Sequence, residues 1–223
     1  MITVHHLNNS RSQRVLWLLE ELGVDYRVQR YERDAKTMLA PPSLKKVHPL
    51  GKSPVISDGE RVIAETGAII EYLVERHGNG RLAPPPGSDE RLRYTYWLHY
   101  AEGSLMPLMV MTLIFSRIVP GSPLLIRPIA AGIVKAVHGQ FLGPNTKLHL
   151  DYVEAELGRS PWFAGAEFSA ADVQMSFPLE AAASRVGGGV DGYPNIRGFL
   201  ERIHARPAYQ RALEKGGPYD LLS

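Results

Sequence analysis

The chain has no cysteine among its 223 residues. This excludes disulfide bonds, thiolate metal sites and a cysteine nucleophile supplied by the protein. Any thiol chemistry must therefore use a sulfur that a ligand brings. Long apolar runs are missing too: no stretch approaches the roughly 18 residues that a membrane helix needs, and the first residues do not form a basic-then-apolar leader. We expect a cytoplasmic protein that has no membrane partner.

The sequence also lacks an excess of charge of one sign. It has 25 basic and 23 acidic residues, so the net charge of +2 gives no indication of a nucleic acid partner. The histidines form no recognisable ligand set, because His5 and His6 stand alone and His99, His138 and His149 are scattered. We predict no metal site.

Hydrophobic periodicity in the first 79 residues switches between strand and helix. A strand at 2–7 precedes a helix that ends at Gly23, and a second strand fits 26–31. Asp58-Gly59 is a hairpin signal between strands at 54–57 and 61–64, and a further helix ends at Gly78. A strand–helix–strand unit followed by a hairpin predicts an α/β domain with a mixed four-stranded sheet.

Composition changes at residues 78–88, where glycine and proline accumulate around the stiff segment 84–86. Everything beyond has helical periodicity, including a helix that Ser169 and Asp172 begin with a near capping box. We therefore predict an α/β domain at 1–79, a linker at 80–88 and an all-helical domain at 89–223.

The segment from Pro49 to Leu73 has an arrangement of residues suited to binding a small anionic peptide; it reads PLGKSPVISDGERVIAETGAIIEYL. A cis bond before Pro54, at the entrance of a strand, would leave the Ser53 backbone N–H and C=O facing solvent. Glu65 and the residue after it stand at the first turn of the following helix. They offer a carboxylate, a hydroxyl and free amides close by.

Four segments carry a resemblance to a known family: HPLGKSPVI at 48–56, ETGAIIEYL at 65–73, FSAADVQMSFPL at 168–179 and YPNIRGFLERIHARPAYQRAL at 193–213. Each segment alone is a weak to moderate signal, but four in this order are strong. The sequence resembles a glutathione S-transferase over essentially its whole length. HHLNNSRSQRVLWLLEEL near the N-terminus is similar to a bacterial and fungal subgroup that uses a serine hydroxyl instead of a cysteine.

The resemblance implies a thioredoxin-like N-terminal domain, an all-α C-terminal domain and a homodimer. It also implies that Asp172 caps and anchors its helix, so that Asp172 stabilises the fold by about 0.5 to 2 kcal/mol and does not catalyse. It implies a detoxification enzyme that activates the glutathione thiol as a thiolate and conjugates it to hydrophobic electrophiles. Glutathione is then a co-substrate, and no cofactor is expected. Two alternatives stay open, a glutathione-dependent peroxidase and a non-catalytic binding module, because a fold does not fix a function.

A free thiol with a pKa of about 8.5 is mostly protonated at neutral pH, so the site must favour the thiolate. A hydroxyl donor and a helix N-terminus aimed at the sulfur would do so. Ser10, between the first strand and the first helix, resembles the catalytic serine of the serine-type transferases. Ser10-Arg11-Ser12-Gln13 also fits a capping box, so Ser10 could simply cap the helix. Ser12, Asn9 and Arg11 are the other candidates.

Matched position by position, the resemblance implies that five residues contact glutathione. Glu65 and Thr66 match the pair that holds the γ-glutamyl end, and Ser53 precedes the cis proline, Pro54, with a backbone that pairs with the cysteinyl unit. Lys52 stands where a cation can meet the glycyl carboxylate. An ordinary helix start and a solvated lysine are the alternatives. The basic residue that related classes place about a dozen positions before the proline has no clear counterpart, and three lysines could replace it: Lys36, Lys45 and Lys46.

The second substrate should lie between the two domains, facing the long helix that follows the linker. Tyr100 and Met106 are the preferred lining residues, and Met109 and Phe115 are further candidates, because aromatic and methionine side chains fit varied electrophiles. Packing in the core is the alternative for each of them.

Overall fold

The computed structural model describes residues 1–222, which form a four-stranded sheet followed by helices. The sheet half of the chain consists of β1 (Ile2–Leu7), α1 (Ser12–Leu22), β2 (Tyr26–Tyr31), a 3₁₀ turn (Pro42–Lys46), β3 (Val55–Asp58), β4 (Arg61–Ala64) and α2 (Thr66–His77). The strand order is β2-β1-β3-β4. The β1–β2 pair is parallel and the other two pairs are antiparallel, so the predicted mixed sheet is confirmed.

The hairpin between β3 and β4 begins one residue later than predicted. Asp58 pairs with Arg61 as the last rung of the ladder, which leaves Gly59 and Glu60 as a two-residue loop. Gly59 has a φ of +60°, the left-handed conformation that glycine adopts without steric cost. Asp58 therefore belongs to the strand.

The second half of the described chain is helical. It consists of α3 (Asp89–Tyr100), α4 (Met106–Gly121), α5 (Arg127–Val137), α6 (Gly143–Arg159), α7 (Ala170–Arg185), α8 (Pro194–His204) and α9 (Pro207–Gly216). One-turn π segments join α3 to α4 (Ala101–Leu105) and α5 to α6 (His138–Leu142), and 3₁₀ turns lie at Leu124–Ile126 and Asp220–Leu222. The fold class, a thioredoxin-like part plus an all-α part, is confirmed. The domain bounds around 80–88 stay a prediction; these residues contain no helix or strand.

A continuous core connects the two halves. Helix α1 packs against α7 and α9. Its Trp17 is fully buried, with its ring 5.1 Å from that of Tyr209 and 5.7 Å from that of Phe168. Inside α7, the buried carboxylate of Asp172 accepts hydrogen bonds from the Phe163 and Ser169 amides. The contacts of Trp17 hold α1 against the helical half, and the bonds of Asp172 stabilise the start of α7.

The hairpin of α4 and α5 is apolar and leaves much of its surface exposed. The described helical segment Asp89–Gly121 is long and apolar enough to cross a membrane by length and composition, which corrects the expectation that no stretch approaches that length; 28% of its apolar window is buried. Helix α5 contains no buried residue, and Leu125 before it is 94% exposed. Length and composition alone are weak signs of a membrane helix, because core helices of soluble proteins share them.

Candidate active site

A cavity of about 450 Å³ lies where the β1–α1 loop faces α4 and α7. One wall comes from the sheet half: Asn9, Ser10, Arg11, Arg33, Met38 and Ser53. The other comes from the helices: Met106, Val110, Leu113, Arg117, Phe177, Ser184 and Arg185. Asp220 and Leu221 of the C-terminal segment also line it. The cavity therefore brings Ser10 and Ser53, which are 43 positions apart, to one surface.

The hydroxyl of Ser10 belongs to a chain of hydrogen bonds at this surface. Ser10 is buried, and its Oγ lies 2.7 Å from Ser12 Oγ and 3.4 Å from Ser53 Oγ. It also accepts a bond from the Ser12 amide at 3.2 Å. The predicted capping box does not form, because α1 begins at Ser12 with Arg11 as N-cap and no side-chain cap bond.

The protonation state of His6 determines which hydroxyl donates in this chain of hydrogen bonds. Burial lowers the pKa of the His6 ring to about 4, so the ring is neutral at pH 7 and has one N–H. Because that N–H bonds to the Gly216 carbonyl, we assign His6 Nδ1 as an acceptor. The Ser12 hydroxyl, 2.9 Å away, then donates to it. With the only proton of Ser12 committed, Ser10 is the donor in the Ser10–Ser12 bond.

Next to Ser10, the residue before Pro54 presents its backbone. The Ser53–Pro54 peptide bond is cis. Ser53 precedes β3, its Oγ donates to the His5 carbonyl at 3.1 Å, and its own N–H and C=O have no hydrogen-bond partner in residues 1–222. An extended ligand can therefore pair with this backbone beside the Ser10 hydroxyl.

Glu65 and Thr66 form the start of α2, as the sequence predicts. Glu65 is the N-cap with a φ of +70°, a left-handed conformation that costs energy in a residue other than glycine. Its exposed carboxylate has no partner among the described residues, and neither does the exposed ammonium of Lys52. Thr66 is buried and its Oγ1 accepts a bond from Arg14 at 3.4 Å. None of these three lines the cavity itself, and their role in binding glutathione stays a prediction.

The buried side chain of Arg14 connects the start of α2 with α7 and with Glu102. Its buried guanidinium donates to the Gln174 carbonyl of α7 at 2.6 Å and to Glu102 Oε1 at 2.5 Å, as well as to Thr66. Arg11 pairs with the other oxygen of Glu102 at 3.0 Å. Burial alone would raise the pKa of Glu102, but the charges of Arg14 and Arg11 outweigh it and lower that pKa. Glu102 is therefore an anion at neutral pH.

Of the two residues predicted for the second-substrate pocket, the structure brings one to the cavity. Met106 lines it. Tyr100 does not: it is packed into an aromatic cluster with Trp97 and Tyr152, and its hydroxyl bonds to His149 Nδ1 at 2.6 Å. The assignment of Tyr100 is therefore corrected to core packing. The sulfur of Met109 is buried in the core as well.

Several lining residues were not predicted from the sequence. On α4, Val110, Leu113 and Arg117 follow Met106 at helical spacing, so one face of this helix could have been recognised from the periodicity. Arg33, Phe177, Arg185 and Asp220 gave no such signal, because they come from distant parts of the chain. Asp220 is joined to the site by Asn9, whose Nδ2 donates to Asp220 Oδ2 at 2.7 Å. Among the described residues, no group of three or more histidines and carboxylates could hold a metal ion.

Two family models match the chain. The one described as "Glutathione S-transferase, N-terminal domain" matches residues 1–75, and the one described as "Glutathione S-transferase, C-terminal domain" matches residues 143–207. A solved glutathione S-transferase from Actinobacillus pleuropneumoniae is 35% identical, with a TM-score of 0.84 over 100% of this chain and 96% of that one. A sphingomonad glutathione S-transferase, solved in complex with glutathione, shares the fold at 23% identity and a TM-score of 0.76, over 96% of this chain and 98% of that one.

Curated relatives agree with these matches. Glutathione S-transferase 3 of Schizosaccharomyces pombe is 38% identical over 96% of this chain and 88% of its own length. Glutathione S-transferase 1 of Saccharomyces cerevisiae is 33% identical over 96% of this chain and 95% of its own. Disulfide-bond oxidoreductase YfcG of Escherichia coli is 27% identical over 96% and 95%.

Proposed function

The chain belongs to the glutathione S-transferase family, and from that premise we propose that it activates the glutathione thiol as a thiolate beside Ser10. The thiolate then adds to an electrophilic carbon in the cavity between the β1–α1 loop, α4 and α7. One observation carries this proposal: a buried hydroxyl that can donate lies at the cavity surface beside the unpaired backbone of Ser53. A peptide held by that backbone would present its side chain to Ser10.

Glutathione offers a group for each of the unpaired groups of the site. Its cysteinyl amide and carbonyl suit the N–H and C=O of Ser53, and its γ-glutamyl ammonium suits the carboxylate of Glu65. Its γ-glutamyl carboxylate suits Thr66 and the first free amides of α2, because a helix N-terminus favours an anion. Its glycyl carboxylate suits Lys52. The glutathione complex of the sphingomonad transferase supports this choice of ligand.

The proposed reaction begins when the thiol proton leaves to solvent. The Ser10 hydroxyl turns from Ser12 to the sulfur and exchanges a neutral hydrogen bond for a charge-assisted one, which is roughly twice as strong. That gain favours the thiolate and lowers the pKa of the thiol. A sulfur lone pair then forms the C–S bond, and the leaving group departs from the same carbon with its electron pair.

Reduction chemistry is a second candidate function. The relative named as a disulfide-bond oxidoreductase is 27% identical over almost the whole chain. The same thiolate could attack the oxygen of a hydroperoxide or the sulfur of a disulfide, and a second glutathione would complete the reduction. Because this chain has no cysteine, both sulfurs would come from the ligands.

We also infer that the enzyme belongs to the serine-type subgroup and works as a homodimer in the cytoplasm. The absence of cysteine and the position of Ser10 support the subgroup. The family resemblance supports the dimer and the location.

Two measurements test the proposed function. Calorimetry should detect glutathione binding, and ultraviolet difference spectroscopy should show thiolate formation in the complex. Ser10→Ala should raise the pKa of the bound thiol by about one to two units, since a hydrogen bond to a charged group contributes about 1.5 to 3 kcal/mol. Ser116→Ala is a matched control, because that exposed α4 hydroxyl donates to the Leu113 carbonyl and does not line the cavity.

A comparison of the turnover of chlorodinitrobenzene with that of cumene hydroperoxide distinguishes the two candidate functions, conjugation and reduction. We expect conjugation to dominate. No detectable binding at millimolar glutathione would leave a non-catalytic module as the remaining function. An unchanged thiol pKa and turnover in Ser10→Ala would remove Ser10 from the mechanism.

A further inference from the structure

The cavity beside Ser10 is strongly cationic. Four arginines line it, Arg11, Arg33, Arg117 and Arg185, whereas Asp220 is the one carboxylate among its described lining residues. The Asp220 carboxylate accepts a bond from Asn9. Uncharged hydrophobic electrophiles would gain no binding energy from this charge. Bringing guanidinium groups close together in a partly buried space costs free energy.

Carboxylates neutralise only part of this charge. Arg11 pairs with Glu102. Arg33 donates to the backbone carbonyls of Asn8 and Met38, which satisfies its hydrogen bonds and leaves its charge unbalanced. Arg117 and Arg185 form neither a hydrogen bond nor an ion pair with any part of the chain that the structure describes.

The guanidinium groups are close enough to repel one another. The pKa of Arg185 is lowered, first by burial and then by the charges of Arg11, Arg117 and Arg33. The pKa of Arg33 is lowered by burial, and by Arg11 and Arg117. The fold therefore places like charges close together, and an anionic ligand would relieve their repulsion.

On the two helices, apolar lining residues precede the two unpaired guanidinium groups. On α4, Met106, Val110 and Leu113 form an apolar stripe that ends at Arg117, three helical turns after Met106. On α7, the ring of Phe177 lies two turns before Arg185. A ligand in the cavity would meet Ser10 and Ser53 at one end, an apolar middle, and the two unpaired guanidinium groups of the helices.

We propose that the electrophile of this enzyme is an amphipathic anion, in which the reacting carbon and an apolar body are followed by a carboxylate or sulfonate that Arg117 and Arg185 bind. The planar guanidinium fork matches such oxyanions in a bidentate manner. This inference rests on the proposed function and names its substrate class. The carboxylates of glutathione are assigned elsewhere, to Lys52 and to the start of α2, so the arginines of α4 and α7 are left for the second substrate.

A matched pair of probes tests the charge of the electrophile: para-chloro-meta-nitrobenzoate and its methyl ester. In both, the glutathione thiolate forms the C–S bond at the carbon that carries chlorine, and chloride leaves with the electron pair of the C–Cl bond. The carboxylate is unchanged by the reaction. Because the two compounds differ in intrinsic reactivity, each kcat/KM is divided by the rate constant of the uncatalysed reaction with glutathione.

We expect this normalised kcat/KM to favour the benzoate over the ester by about tenfold or more, and the preference to shrink as salt is added. Arg117→Gln and Arg185→Gln should each reduce the preference, and the double variant should reduce it to about one. Arg197→Gln, an exposed arginine of α8 that does not line the cavity, should retain it. Loss of the preference in a variant counts only if the melting temperature is kept; the salt dependence of the unaltered protein tests the same charge without a substitution.

The outcomes separate the two claims. If the ester is conjugated as well as the benzoate or better, the anionic substrate class is overturned while the proposed function stands. An equal preference in the unaltered enzyme and in the double variant would overturn the role of the two arginines. If neither probe is conjugated and glutathione does not bind, the proposed function fails and this inference fails with it.

Discussion

The hydroxyl of Ser10 donates to the hydroxyl of Ser12 across 2.7 Å. The direction of this bond follows from the neutral His6 ring, which accepts the only proton of Ser12. Ser12 is therefore the resting partner of Ser10 and competes with the glutathione sulfur for the same proton. Of the two serines, Ser10 lines the cavity, and Ser12 lies fully buried behind it.

Ser12→Ala should separate the roles of the two serines. Without Ser12, the Ser10 hydroxyl loses the acceptor that it must leave in order to reach the sulfur. We therefore expect the pKa of the bound glutathione thiol to stay the same or to fall, whereas Ser10→Ala raises it. Spectroscopic titration of the thiolate in the two variants checks the opposite directions. A rise in Ser12→Ala as large as that in Ser10→Ala would make Ser12 the partner of the thiolate.

His6 should make the folded state less stable in acid. Its pKa is about 4 in the folded protein and 6.5 when the ring is free, so the unfolded chain binds more protons between these values. The stability present above about pH 6.5 is thus lost as the pH falls towards the folded pKa of about 4, by about 3 kcal/mol in total. Urea unfolding at a series of pH values measures this loss.

The variant His6→Gln cannot titrate and serves as the comparison. Its stability at neutral pH should be lower, because the bonds to Ser12 and Gly216 are altered, but its decline between about pH 6.5 and 4 should be shallower by most of that 3 kcal/mol. Equal slopes for the two proteins would show that other groups cause the acid sensitivity.

Glu65 should contribute to glutathione affinity through its charge. Its carboxylate is exposed and has no partner in residues 1–222, so Glu65→Gln removes a charge without breaking a contact of the folded chain. We expect the Kd for glutathione to rise about tenfold, the equivalent of about 1.4 kcal/mol. Calorimetry measures the change, with Glu60→Gln in the exposed β3–β4 loop as the matched control. An unchanged Kd would place the γ-glutamyl ammonium elsewhere.

The features predicted correctly from sequence are those that local chemistry determines. A proline at a strand entrance and a polar pair before a helical pattern locate Pro54, Glu65 and the start of α2 without knowledge of the tertiary fold. Tyr100 and Met106 are separated by the π segment Ala101–Leu105, and the directions of their side chains depend on that segment, which no local pattern of the sequence predicts. The contact of Asn9 with Asp220, 211 positions away, depends on tertiary packing that no local pattern encodes.

Asp172 should be more important for stability than a surface helix cap. Its carboxylate is fully buried and accepts bonds from the Phe163 amide at 2.9 Å, the Ser169 amide at 2.8 Å and the Ser169 hydroxyl at 3.1 Å. Asp172→Ala removes the acceptor and leaves two buried amides unpaired, each of which costs about 1 to 3 kcal/mol. We expect a loss of about 3 kcal/mol or more, above the 0.5 to 2 kcal/mol of an ordinary cap.

Chemical denaturation measures that loss. The variant Asp172→Asn keeps one oxygen acceptor and should recover part of the stability. A melting temperature unchanged in Asp172→Ala would show that the capping box at the start of α7 does not stabilise the fold.

The ion pair of Arg14 and Glu102 should be structural, and its removal should be costly. Arg14 is 1% exposed, and Glu102 is the carboxylate that balances its charge at 2.5 Å. Glu102→Gln leaves a buried guanidinium without a counter-charge, so we expect stability to fall by about 3 kcal/mol or more, as in other broken buried pairs. Glu201→Gln breaks the exposed pair with Arg197 and should change stability by less than about 1 kcal/mol.

Because Arg14 also contacts Thr66 at the start of α2, glutathione affinity in Glu102→Gln should fall together with stability. Equal stabilities of the two variants would mean that solvent, and not Glu102, compensates the charge of Arg14.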